Sequence, residues 1–217
     1  MNHFDFLPTL DTSMVYNFPN NGIIFDRLPK DLFDKLKKEV KKIEASFDTS
    51  KPYNNKLAGH IKNEYDMGYF IPEIQDYIVN LAVLHNKYYD HLKIYNVLSS
   101  SKPIRVHDLW VNFQKKHEFN PPHNHYGFYS FTIWTQIPYD INDEINFFPS
   151  SPRHASMFNF SVSDILGNHQ QYHIPIDKNC EGVICLFPSQ LVHYVNPFYT
   201  SDDYRISVAG NLNFNVD

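Results

Sequence analysis

Residues 104–148 read IRVHDLWVNFQKKHEFNPPHNHYGFYSFTIWTQIPYDINDEINFF. Two runs rich in β-branched and aromatic residues, 104–113 and 126–137, are divided by Asn120-Pro121-Pro122. Such runs between turn signals read as strands. A shorter run at 145–148 continues the series, after a break at 138–143. The same alternation runs on to the C-terminus, at 155–160, 171–174, 183–187, 191–195 and 205–214. Eight candidate strands with no helical period between them predict an antiparallel sandwich or jelly roll.

Upstream of Ser99-Ser100-Ser101 the pattern is largely helical. After Pro29, the residues Leu32, Leu36, Val40, Ile43 and Phe47 recur in steps of three and four. That spacing marks one apolar helix face. Lys35, Lys37, Lys38, Lys41 and Lys42 share the segment with five acids, so the spacing predicts a solvated face rather than a DNA contact. A second helix is expected to start at Pro72, with an apolar face of Ile74, Ile78, Leu81, His85, Tyr88 and Leu92. The expected class is α+β, mainly β. Residues 1–101 form a helical segment packed on a barrel of residues 102–217, without independent stability.

The chain has 217 residues, 42% of them hydrophobic and 20% charged, which excludes a disordered or fibrous protein. A net charge of -5 and only four arginines (Arg27, Arg105, Arg153, Arg205) argue against nucleic acid as a partner. The two cysteines, Cys180 and Cys185, are too few for a disulfide framework and read as reduced core residues of an intracellular, cytoplasmic protein. The first residues lack the basic and apolar regions of a signal peptide, and no apolar run approaches a membrane span. With seven glycines the chain has no glycine-rich phosphate loop, and GxSxG is absent.

Twelve histidines are the chemical signal. In an extended Pro122-His123-Asn124-His125, residues two apart project to one side, which suits two ligands of one metal. His193 lies far downstream, in an apolar strand context, and Arg205 opens the last strand. Each piece alone is weak; their order is what carries weight.

In that order the sequence resembles the iron(II)/2-oxoglutarate-dependent oxygenases, and in particular the small prolyl-hydroxylase-like versions found in phage and marine bacterial genomes. The resemblance runs through Trp110-Val111-Asn112-Phe113, the segment from Glu118 to Gly127, Ser130-Phe131-Thr132-Ile133-Trp134 and Ile137-Pro138-Tyr139-Asp140. It continues through His193, Arg205-Ile206-Ser207 and Gly210-Asn211, and the segment from Leu57 to Tyr65 resembles the N-terminal part of those proteins. It implies a double-stranded β-helix, Fe(II), and the co-substrates 2-oxoglutarate and O2. It implies His123 and His193 as iron ligands and Arg205 as partner of the far carboxylate of 2-oxoglutarate, helped by Ser207. Asn112 and Tyr129 are further co-substrate candidates, from their expected inward direction.

The family pattern is HxD or HxE, and here the third residue is His125. His125 is expected to be the third ligand. The alternatives are a water in its place, or a carboxylate borrowed from Glu144 or Asp140. His3-Phe4-Asp5 also fits HxD but precedes the helical part and reads as chance. The implied reaction is hydroxylation, with decarboxylation of 2-oxoglutarate to succinate. A peptidyl or amino-acid side chain is the favoured substrate class. Two other readings stay open: a cupin-like protein with three histidine ligands and no use of 2-oxoglutarate, and a non-catalytic jelly-roll module. Nothing in the sequence reads out the oligomeric state.

Overall fold

The computed structural model describes residues 20–95, 103–149 and 154–214. The boundary read at residues 99–101 and the His3-Phe4-Asp5 pattern lie outside these residues.

Two antiparallel sheets face each other. Strands β1 (Ile24–Arg27), β2 (Asn63–Asp66), β3 (Ile104–Gln114), β5 (Tyr129–Gln136), β8 (Val183–Pro188) and β10 (Arg205–Phe214) form the larger, in the order β1-β8-β5-β10-β3-β2. Strands β4 (Asn120–His123), β6 (Phe158–Ser163), β7 (His169–Ile174) and β9 (Val192–Val195) form the smaller, in the order β4-β9-β6-β7. This is a double-stranded β-helix.

The helices are α1 (Lys30–Glu44), α2 (Ile71–Tyr89) and α3 (Ile141–Phe147). In α1 the buried residues are Leu36, Val40 and Ile43, the face that the spacing predicts. Asp31 in its first turn and Lys41 and Lys42 in its last complement the helix dipole. Pro72 sits in the first turn of α2, where its missing N–H costs nothing. Leu36, Ile74 and Ile78 from the helices pack with Val111, Phe113, Ile133 and Val208 from the larger sheet in one core. A second core joins Trp134, Phe158, Phe160, Phe187 and Phe198. Each such side chain contributes roughly 1.5–3 kcal/mol by burial.

The first half of the chain is not purely helical: it supplies β1 and β2, the two edges of the larger sheet. Residues 145–148 are not a strand either. Asp140 Oδ1 accepts the Asn142 N–H at 2.7 Å and caps the short helix α3. Residues 120–122 are not merely a break. They belong to β4, and β4 tolerates Pro121 and Pro122 because it is an edge strand. Tyr88, expected on the apolar face of α2, is exposed, whereas His85 and His91 are buried. Cys185 is buried and Cys180 half-buried, and both are free thiols. Among the described residues no helix is long and apolar enough to cross a membrane.

Candidate metal centre

Strands β4 and β9 are neighbours in the smaller sheet, and their register puts His123 directly opposite His193. His125 follows two residues after β4, and its backbone N–H donates to Ser189 O at 2.8 Å. The chain then turns into β5 at Gly127, whose φ of 104° is left-handed and whose Cβ would meet Leu212 O at 2.7 Å. This turn holds His125 over its neighbours. The ring centroids stand 4.3 Å apart for His123 and His193, 5.0 Å for His123 and His125, and 5.1 Å for His125 and His193. One ring nitrogen from each lies within 4.8 Å of the others.

The neighbours of two rings fix their tautomers. In the neutral form His123 Nδ1–H donates to Pro121 O at 2.7 Å, and His193 Nδ1–H donates to Leu191 O at 3.0 Å. Each ring then turns its Nε2 lone pair outward as a ligand. Burial holds all three imidazoles below their ordinary pKa, with His125 brought down to about 4. Neutral imidazole is the form that binds a metal. Three nitrogen donors suit a first-row transition ion such as iron.

Beside the histidines is a cavity of about 50 Å³. Its polar wall comes from Glu64, Asn112, Asn120, Ser130, Thr132 and Ser207. Asn112 and Ser207 thus face the site, and Asn112 Nδ2 donates to Ser207 Oγ at 3.2 Å. Tyr129 does not face it. Side chains alternate along β5, so Ser130 and Thr132 face the cavity while Tyr129 turns toward α2, its hydroxyl 3.3 Å from His85 Nδ1.

Arg205 also departs from the expectation. It is 3% exposed, and all five of its N–H groups are used inside the protein. Nε and Nη2 donate to Gln114 Oε1 at 3.1 and 2.8 Å, and Nη2 also donates to Asn196 O at 2.7 Å. Nη1 donates to Tyr139 Oη at 2.9 Å and Ser156 O at 2.6 Å. No donor is left for a carboxylate, and the guanidinium does not line the cavity. Among the described residues no lysine or arginine lines it, so hydroxyl and amide groups, together with the Glu64 carboxyl, face any carboxylate bound there.

The carboxylates considered as replacement ligands are engaged elsewhere. Glu144 is fully buried and accepts from Tyr199 N, Thr200 N and Thr200 Oγ1, which ties α3 to the loop after β9. Asp140 caps α3. Glu64, Asn120 and Thr132 are cavity residues that sequence reasoning misses. Glu64 lies in the resembling segment from Leu57 to Tyr65, but nothing local marks it as facing the histidines.

Six buried or half-buried histidines imply a pH response of the metal-free protein. Desolvation lowers the pKa of His85, His91, His123, His125, His173 and His193 from the ordinary 6.5. Below about pH 6.5 the unfolded chain takes up protons that the folded chain refuses, so stability is full above that pH and falls below it. Glu64 acts oppositely. Burial and the nearby Glu118 raise it from 4.5 to about 7, so its contribution falls as pH rises between those values. With six groups against one, the midpoint of thermal unfolding is expected to drop steadily from pH 7 to pH 5. A flat or rising midpoint would contradict these burial shifts.

The sequence family described as "Putative 2OG-Fe(II) oxygenase" matches residues 108–211. No curated protein matches the chain. Among solved structures, a Pseudomonas putida prolyl-4-hydroxylase is similar at 13% identity and TM-score 0.51, covering 90% of this chain and 94% of its own. A Trichoplax adhaerens prolyl hydroxylase, solved with a peptide fragment of hypoxia inducible factor, is similar at 12% identity and TM-score 0.53, with 89% and 83% covered. The α-ketoglutarate-dependent carbocyclase SnoK of nogalamycin biosynthesis is similar at 11% identity and TM-score 0.51, with 91% and 81% covered. At such identities the structural likeness speaks for the fold. The family match spans the region that holds the three histidines, and in that sequence match and in its fold the chain is similar to the iron(II)/2-oxoglutarate-dependent oxygenases.

Proposed function

We propose that the protein is a hydroxylase that holds Fe(II) through His123, His125 and His193 and acts on a peptidyl or amino-acid side chain. The observation that carries this reading is the convergence of three neutral imidazoles on one cavity. When bound, Fe(II) with 2-oxoglutarate would supply the oxidation, in which the keto acid loses CO2 and takes one atom of O2 to become succinate while the other atom enters a C–H bond. The rest is the work of this chain. Pro121 O and Leu191 O keep His123 and His193 in the tautomer that presents Nε2. Trp110, Phe158 and Phe187 wall the cavity against water. Asn112, Thr132 and Ser207 would meet the far carboxylate of the co-substrate.

The substrate class rests on a second, open cavity of about 840 Å³ beside β6 and β7. Phe160 lines it, and the Phe160 ring stands 6.3 Å from that of His193. Leu191, whose carbonyl orients His193, lines it too. A groove of this size has room for a peptide segment. The fold by itself does not choose the reaction, since it also carries a carbocyclase. We place the protein's action in the cytoplasm, in keeping with its free thiols.

The test is anaerobic titration of the Fe(II)-loaded protein with 2-oxoglutarate, by calorimetry and visible absorption together. Saturable binding with an iron-to-keto-acid charge-transfer band, followed by succinate formation on admitting O2, is the expected result. Metal binding with no response to 2-oxoglutarate would favour a cupin-like three-histidine protein. No metal binding at all would leave a jelly roll with structural histidines.

A further inference from the structure

Glu64 stands on β2 opposite Asn112 of β3 and is 1% exposed. Its Oε2 accepts from Asn54 Nδ2 at 3.1 Å, while its Oε1 has no partner. An unpaired carboxylate oxygen at such depth is costly unless the space beside it holds a donor or a cation. That space is the cavity of the three histidines, which Glu64 lines from the opposite sheet. The loop over it is pinned by His60, whose N–H donates to Phe119 O at 2.8 Å and whose ring stacks on Phe119 at 4.6 Å. The loop passes so close that a Cβ on Gly59 would lie 3.0 Å from Glu64 Oε1 and 2.3 Å from Asn120 Oδ1.

Charge points the same way. Non-haem iron is commonly held by two histidines and one carboxylate. Three neutral imidazoles leave a divalent ion short of one negative charge. Glu64 is the carboxylic acid that lines this cavity.

We propose that Glu64 is the anionic positioning residue of this metal centre. Through Oε1 it accepts a hydrogen bond from water on a divalent cation held by His123, His125 and His193, and it replaces the charge missing from the third-ligand position. The inference rests on the metal-binding part of the function proposed above. Its local rival is a strut. Asn120 Oδ1 is also unpartnered, and a turned Asn120 amide or a proton on Glu64 would join the two side chains.

The experiment titrates metal-free wild type, Glu64→Gln and Glu64→Asp with Co(II), and records thermal unfolding with and without the ion. Glu64→Gln is expected to bind Co(II) ten- to a hundred-fold more weakly, about the loss usual for an outer partner of a metal ligand. Its metal-free melting point should equal or exceed that of wild type, because a buried acid has been neutralised. Equal Co(II) affinity overturns the proposal. So does a lower metal-free melting point with an unchanged rise on adding Co(II), which identifies the strut. Should Glu64→Gln fail to fold, Glu64→Asp decides: weaker Co(II) binding supports the proposal and unchanged binding overturns it. Wild type that binds Co(II) but ignores 2-oxoglutarate overturns the oxygenase reading and leaves Glu64 standing. Wild type that binds no Co(II) overturns both.

Discussion

Replacing His193 by alanine is expected to abolish the response of the protein to divalent iron. His193 is the most buried of the three imidazoles, and its Nε2 is presented by the bond from Nδ1 to Leu191 O. Losing a direct ligand should exceed the ten- to hundred-fold loss caused by removing an outer hydrogen-bond partner. A ligand present at a hundred times its Kd stabilises the folded state by about 2.7 kcal/mol. For a chain of this size each kcal/mol is worth roughly 2–4 °C in melting temperature. Wild type should therefore gain about 5–10 °C on saturation with Fe(II) under anaerobic conditions, and His193→Ala nothing. An undiminished rise in the variant would show that the ion binds elsewhere.

The second large effect is on folding. Arg205→Met keeps much of the side-chain volume but leaves Asn196 O, Tyr139 Oη and Gln114 Oε1 without their donor, and Ser156 O with only the Tyr139 hydroxyl at 3.4 Å. Stranding three buried acceptors at 1–3 kcal/mol each should cost roughly 3–9 kcal/mol, which is about 6 °C or more in melting temperature. Thermal unfolding of the metal-free variant checks this. Arg205→Lys separates the two roles considered for this residue. A lysine cannot satisfy acceptors spread around a planar fork, so it too should be destabilising. If it melts near wild type yet loses affinity for 2-oxoglutarate, then the guanidinium leaves its internal acceptors to hold the carboxylate, as the family resemblance implies.

Much of the architecture was legible because it rests on local periodicity. The three- and four-residue steps from Leu36 to Ile43 marked the buried face of α1, and Pro72 marked the start of α2. The long strands β3, β5 and β10 were legible as apolar and aromatic runs. The misreadings arose where a polar contact decides. Residues 141–147 look like a strand until Asp140 caps them into a helix. Pro121 and Pro122 hide β4, because local signals do not say which strand lies at an edge. At the site, the HxH spacing and the distal histidine were readable, and the register of β4 with β9 brings them together. Tyr129 shows the limit of such reading, since a shift of one position along β5 exchanges the cavity for the helix layer. Arg205 and Glu64 show another: their partners are 91 and 10 positions away, and only the folded chain decides which buried polar group is satisfied.

The pairing of β4 with β9 has a mechanical consequence. Positions 123 and 193 are separated by about 70 residues of chain, and loop closure over such a span costs the unfolded ensemble entropy that grows only slowly with length. An ion gripping both side chains is therefore a reversible crosslink. It fastens an edge strand in which two of four residues have no amide hydrogen to give to a ladder. Loading the centre should slow the fraying of that edge, so that readiness to react and resistance to proteolysis near residue 121 rise and fall together.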